Sequence, residues 1–186
     1  MECQLIERAR HGDVASYGEL VRRHQALAFR VAYLVSGDAA EAEDVAQEAF
    51  VRAFHALDRF RAGSPFRPWL LKIVTNEALT RRRSLRRRLR LERRVFDAEQ
   101  PARTAASPEA ELLARERFAE VDNLLAELKE MDRIVLTYRY VLDMPVDEIA
   151  AALDCPESTV RTRISRALAR LRAKLTAQQT EESHRG

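Results

Sequence analysis

Apolar residues in this chain recur at three- and four-residue intervals, and that period decides what it can fold into. Tyr17, Leu20, Val21, Leu27, Ala28, Val31, Leu34 and Val35 fall on one stripe of a helix, because a 3.6-residue turn returns side chains at i, i+3, i+4 and i+7 to one face. No segment alternates with the two-residue period of a strand. Breakers are also sparse, with five glycines and six prolines in 186 residues. The chain is therefore expected to be all-α.

Punctuation along the sequence divides the periodic stretches. Asp13 is placed to cap the first long helix and Gly37 to end it. A second helix is predicted from about Ala39 to Leu57, with Val45, Ala49, Phe50, Ala53, Phe54 and Leu57 toward a core and Glu41, Asp44 and Glu48 along another side. Ser64-Pro65 reads as a cap and first-turn proline opening a short helix through Phe66, Trp69, Leu70 and Ile73, with Pro68 in the same first turn. A fourth helix is predicted to begin near Asn76 and run into a dense arginine cluster.

Periodicity fails over residues 96–108, a small, polar stretch containing Pro101 and Pro108, which reads as a flexible linker. Helices are predicted again at about 109–128, 131–142, 146–153 and 157–175. The plan is two small helical domains, 1–95 and 109–176, followed by a disordered tail at 177–186.

Composition removes several classes of function. No apolar run approaches the roughly 18 to 20 residues needed to cross a bilayer, and Met1-Glu2-Cys3-Gln4 opens no signal peptide, so a cytoplasmic protein without membrane insertion is expected. Cys3 and Cys155 lie far apart without a CxxC or a nearby histidine pair, which signals neither a zinc site nor a disulfide framework. His11, His24, His55 and His184 are scattered, and no glycine-rich phosphate loop or nucleophile motif appears. Neither catalysis, a cofactor, a metal nor a small-molecule substrate is expected.

Charge is segregated to a degree that the overall balance hides. Asp38, Glu41, Glu43, Asp44 and Glu48 fall within eleven residues that carry no base, a local charge of −5. Residues 81–94 hold nine arginines against Glu92, a local charge of +8, and 157–174 holds five arginines and a lysine against Glu157, or +5. Such blocks imply separate electrostatic partners, at least one of them polyanionic.

The +5 block lies in the clearest motif. Over Val146–Ile164, the residues Ile149, Ala150, Leu153, Val160 and Ile164 supply the inside of a two-helix corner and Asp154-Cys155-Pro156 its turn, while Ser158 or Thr159 is placed to cap the second helix. This is a helix-turn-helix pattern, whose second helix enters the major groove with Arg161, Thr162, Ser165 and Arg166 toward bases or adjacent phosphates. Arg163, Arg170, Arg172 and Lys174 are expected at backbone or solvent, and Cys155 in the core. The competing reading is an ordinary helical hairpin with solvated arginines.

Arg81, Arg82, Arg83 and the arginines beyond them could grip phosphates along one helical face, or could bind RNA or an acidic protein. Phe60, Phe66 and Trp69 precede them, and aromatics beside a basic groove can stack unpaired bases, although core packing suits Phe66 and Trp69 better. Asn76 could cap a helix or hydrogen-bond an extruded base. The acidic face needs either a basic protein partner or only water.

Taken in order, the acidic helix from Gly37 to Phe54, Phe60-Arg61, Phe66-Arg67-Pro68-Trp69-Leu70, Asn76, the arginines, the linker and the terminal helix-turn-helix resemble the bacterial RNA polymerase sigma factors of the extracytoplasmic-function (ECF) group of the sigma-70 family, over about residues 5–175. The resemblance implies an initiation factor with region 2 in the first domain and region 4 in the second. It implies that Asp44, Gln47, Glu48 and Val51 dock on the clamp helices of the largest subunit of core RNA polymerase. Asn76, at the end of the short helix, would receive a flipped base of the −10 element. Phe60 and Arg61 would lie near that single strand, and Arg81, Arg82 and Arg83 would meet duplex backbone just upstream. Arg161, Thr162, Ser165 and Arg166 match −35 recognition positions. Ser158 stands where many relatives carry glycine, and the arginine run is denser than usual. An anti-sigma factor is a further implied partner. The rival from the residues alone is a stand-alone dimeric helix-turn-helix repressor on a palindrome, which leaves the acidic face without a role.

Overall fold

The structure is a computed structural model, and it describes residues 2–61, 63–95 and 128–183. The chain divides into two compact units, Met1–Ala106 and Ser107–Gly186. The described residues form seven α-helices without a strand, so the all-α reading holds. The expected linker at 96–108 and most of the helix expected at 109–128 lie outside the described residues.

In the first unit, α1 is Glu2–Arg10, α2 Val14–Ser36, α3 Ala39–Ala56 and α4 Phe66–Val95, with a 3₁₀ turn at Leu57–Arg59 after α3. Asp13 Oδ1 accepts from the Ala15 and Ser16 amides at 3.0 and 3.2 Å, and Oδ2 from the Ser16 hydroxyl at 2.7 Å. These bonds satisfy amides that the first turn leaves unpaired, and they hold the Asp13 carboxyl below its usual range, Ser16 being the main cause. At the other end Gly37 turns left-handed at φ 78° and donates to the Tyr33 carbonyl at 2.7 Å. Asp38 then caps α3 by accepting from the Glu41 amide at 2.9 Å.

α2, α3 and α4 pack against one another, with α1 against α2. Leu20, Val31 and Val35 from α2, Val45 and Ala49 from α3, and Leu70, Leu71 and Val74 from α4 are all essentially inaccessible. α1 was not visible in the pattern: it is nine residues long and buries only Leu5, Ile6 and Ala9. So short a stripe stabilises a helix only through the neighbour it covers.

The break expected at Asn76 does not exist. One helix runs from Phe66 to Val95, because the buried series Phe66, Leu70, Leu71, Val74, Ala78 and Leu79 passes beneath Asn76 without a change of phase. Asn76 is exposed mid-helix and caps nothing; its carbonyl accepts from the Thr80 hydroxyl at 2.7 Å. Pro68 sits in the first turn, where its missing N–H leaves no bond unmade. At 1.5 Å per residue α4 is about 45 Å long, and beyond Leu79 its described side chains are exposed or half-buried.

In the second unit, α5 is Glu130–Leu136, α6 Val146–Leu153 and α7 Glu157–Ser183. The helix expected over 131–142 is interrupted by a π turn at Thr137–Val141, closed by the Leu142 amide donating to the Thr137 carbonyl at 3.0 Å. α6 has the expected bounds. α7 runs to Ser183 rather than giving way to a disordered tail at 177; Ala, Gln and Glu in that stretch are good helix formers that need no core. Leu128, Leu136 and Ala167 form a buried cluster, with Ile164, Leu168 and Leu171 packed against it.

Candidate nucleic-acid interface

The corner between α6 and α7 is built by its turn. Asp154 adopts a left-handed conformation at φ 52°, ψ 48°, and its amide donates to the Ala150 carbonyl, closing α6. The Cys155 amide donates to the same carbonyl at 3.1 Å. Pro156 then supplies the carbonyl that receives the Thr159 and Val160 amides at 2.9 and 3.2 Å. Neither Ser158 nor Thr159 caps α7, since both already lie in its first turn. Ser158 has no left-handed backbone, so a side chain there is unstrained. Cys155 is half-buried rather than in the core.

Ile149, Ala152, Val160 and Ala167 close the inside of the corner with almost no accessible surface, while Ala150, Leu153 and Ile164 are only half-buried. On the opposite side of α7, Arg161, Thr162, Ser165 and Arg166 are all exposed. The spacing i, i+1, i+4, i+5 puts them on one outward stripe. Arg161 is steadied by Glu157 at 2.9 Å, and the Thr162 hydroxyl donates to the Ser158 carbonyl at 2.8 Å. Thr162 and Arg166 also line a cleft of about 680 Å³ beside the start of α5, with Arg163 and Lys129 on its walls. Glu130 and Asp132 also line it, so the cleft is of mixed charge. Arg170, expected at backbone or solvent, is instead committed to the nearly buried Asp132, which joins α5 to α7.

The first unit brings together acids and bases that sequence reasoning kept apart. Asp44, Gln47 and Val51 on α3 are exposed, and Glu48 partly so. Asp44 receives the Arg81 guanidinium at 3.2 Å, and Glu48 receives Arg52 at 3.0 Å. Between the two pairs lies Glu77, with a side chain only 5% exposed, Arg52 at 2.9 Å and Arg81 at 3.7 Å. Neither Arg52 nor Glu77 was singled out from the sequence. Their i+4 spacings to Glu48 and Arg81 were a usable signal, but the contact across α3 and α4 was not. Arg82 donates to the Val35 carbonyl at 2.9 Å and so completes the end of α2, which makes it structural here. Arg83 is exposed.

Phe60 departs from its expected place beside a single strand. Its ring is 3% exposed and meets Trp69 and Phe66 edge-on at 5.0 and 5.8 Å. No base can stack on it without displacing that cluster. Arg61, next in sequence, is exposed, and its carbonyl accepts from the Ser64 amide at 3.1 Å.

Family comparison matches residues 20–88 to sigma-70 region 2 and residues 118–171 to sigma-70 region 4, so both proposed surfaces fall inside recognised regions, in order. The chain belongs to the sigma-70 family. Within that family it falls in the ECF group. This sigma factor is 35% identical over 170 residues to the RNA polymerase sigma-H factor of Pseudomonas aeruginosa, and 36% identical over 171 residues to the ECF RNA polymerase sigma-E factor of Escherichia coli K12, each match covering 88% of both chains. Among solved structures it resembles CnrH in its complex with the cytosolic domain of CnrY (TM-score 0.71, 31% identity, 95% of this chain and 97% of that one). It also shares the fold of the Bartonella quintana sigma factor RpoE in complex with the anti-sigma factor NepR (TM-score 0.65, 23% identity, 86% and 96%). The stand-alone repressor is not favoured. Among the described residues of this sigma factor no helix is long and apolar enough to cross a membrane, and no group of three or more His, Cys, Asp or Glu is placed to hold a metal ion.

Proposed function

We propose that this sigma factor joins core RNA polymerase through the outer face of α3 and places two DNA-reading surfaces on a promoter, directing initiation there from the cytoplasm without catalysis of its own. The observation that supports this most is the pairing, in one chain, of a region 2 that presents Asp44, Gln47, Glu48 and Val51 outward with a region 4 that presents Arg161, Thr162, Ser165 and Arg166 outward. The acids cannot lie on DNA, so they fit a basic helical surface such as the polymerase clamp helices. The arginines, threonine and serine of α7 fit the −35 element in the major groove.

Region 2 is assigned the −10 element. Asn76 turns a donor–acceptor amide to solvent from a rigid helix, which suits a base swung out of the stack. Arg61 supplies charge beside the single strand, and Arg81 and Arg83 supply it along the duplex backbone just upstream, with Arg81 shared with Asp44. Capture of an unpaired base supplies about 1 to 3 kcal/mol, against about 1.4 kcal/mol for a base-pair step, so a few captured bases tip local melting. An anti-sigma factor completes the set of proposed partners.

Core polymerase mixed with the full-length chain and genomic promoter fragments is the direct test. Specific start sites that depend on the chain are expected. Symmetric DNA protection by the chain alone, with no retention on core enzyme, would replace this reading with that of a repressor.

A further inference from the structure

We infer that Glu77 is a positioning residue that keeps the docking acids of α3 available, an inference that rests on the assignment of Asp44 and Glu48 to polymerase. Five charged side chains alternate in sign across α3 and α4: Glu48, Arg52, Glu77, Arg81 and Asp44, with successive separations of 3.0, 2.9, 3.7 and 3.2 Å. The middle member is buried at 5% exposure, whereas Asp44 is 65% and Glu48 42% exposed. Three carboxylates share two guanidinium groups, so the network carries a charge of −1.

A charge pair interacts more strongly where water is excluded. Arg52 lies about equally near Glu48 and Glu77, and Arg81 is hydrogen-bonded to Asp44 with Glu77 further off, so the buried Glu77 takes a share of each arginine's charge rather than all of it. That division leaves Asp44 and Glu48 only partly neutralised, and their residual charge faces outward. Without the Glu77 charge, both arginines would turn fully onto Asp44 and Glu48, and the network would become neutral. Glu77 touches no partner itself; it acts through Arg52 and Arg81.

Titration of labelled full-length chain with core polymerase, in the absence of DNA, tests this. Glu77→Gln should weaken binding roughly two- to five-fold, the range of exposed ion pairs, and the loss should shrink as salt is raised. Adding Arg81→Gln to Glu77→Gln should restore the affinity, because the arginine that neutralises Asp44 is then gone. A merely structural Glu77 would give losses that add, and that result, or an unchanged Glu77→Gln, overturns the inference. If Glu77→Gln does not fold by circular dichroism, Arg52→Gln and Arg81→Gln decide: each alone should tighten binding, and weaker or unchanged binding overturns it. Asp44→Asn with Glu48→Gln is the control. If that pair binds core normally, the docking assignment itself fails; if it binds weakly while Glu77→Gln is normal, only the role of Glu77 does.

Discussion

Asp44 and Arg81 are 37 positions apart in sequence, and their carboxylate and guanidinium meet at 3.2 Å. One is assigned to polymerase and the other to DNA, so each partner competes with a contact inside the free protein. Arg81→Gln is therefore expected to have opposite signs in two assays. Binding to core should tighten by roughly two- to five-fold, while the holoenzyme's hold on duplex should weaken and lose part of its salt dependence. Equal signs in both would mean that Arg81 serves only the fold.

Asn76 is exposed on a continuous helix, so its replacement removes an amide without removing a cap. Asn76→Ala should leave the unfolding midpoint and the closed complex nearly unchanged and reduce open-complex formation, by about 1 to 3 kcal/mol for one captured base. Permanganate footprinting of the melted strand separates the two steps. Equal loss at both would remove Asn76 from base capture.

Arg166 and Arg170 are one turn apart on α7 and do different work. Arg166 is exposed on the outward stripe, and Arg166→Ala should relax sequence preference at one or two upstream base pairs, by about 1 to 3 kcal/mol each. Arg170 is bound to Asp132, whose side chain is 10% exposed. Arg170→Met should leave preference intact and cost about 2 kcal/mol of stability, because Asp132 then loses its partner while still largely buried. Binding selection on randomised −35 sequences, alongside thermal unfolding, distinguishes the two.

What was legible in the sequence was whatever a single helix settles by itself. The bounds of α2 followed from Asp13 and Gly37, whose side-chain and backbone bonds are local, and α6 followed from its apolar period and the Asp154–Pro156 turn. Asn76 misled because a good capping residue also occupies an exposed mid-helix site when the apolar stripe beneath it continues. Phe60 misled because its burial depends on Phe66 and Trp69 folding back over it. The ion network through Glu77 was out of reach, since no local period relates α3 to α4.

Tyr17 at the start of α2 donates from its hydroxyl to the Phe50 carbonyl on α3 at 2.5 Å and is 8% exposed. Tyr17→Phe keeps the ring and its edge contact with Phe54 but loses the bond, so a cost of about 1 kcal/mol is expected, or about 5 °C in the midpoint of a unit this size. Burial pushes the phenol well above its ordinary value. The folded state therefore holds the proton more tightly than the unfolded chain. That contribution is fully present below about pH 10, the unfolded value, and is lost as pH rises toward the folded one. The wild-type midpoint should fall above pH 10 more steeply than that of Tyr17→Phe, and parallel curves would show that Tyr17 is not the group responsible.

Asp154 holds a left-handed backbone at φ 52°, ψ 48° at the turn of the helix-turn-helix. Aspartate tolerates that region better than most residues, glycine has no penalty there, and a β-branched residue is the worst fit. Asp154→Gly should therefore carry no backbone strain, whereas Asp154→Val should cost about 1 to 2 kcal/mol through its backbone alone. The functional consequence follows from the two hydrogen bonds that Asp154 and Cys155 send to Ala150, because they fix where α7 begins relative to α6. Strain at Asp154 would tilt the outward stripe of Arg161, Thr162, Ser165 and Arg166 as a unit. Asp154→Val should then weaken upstream DNA binding for every promoter sequence alike, unlike Arg166→Ala. A loss confined to particular base pairs would mean that Asp154 itself reaches the DNA.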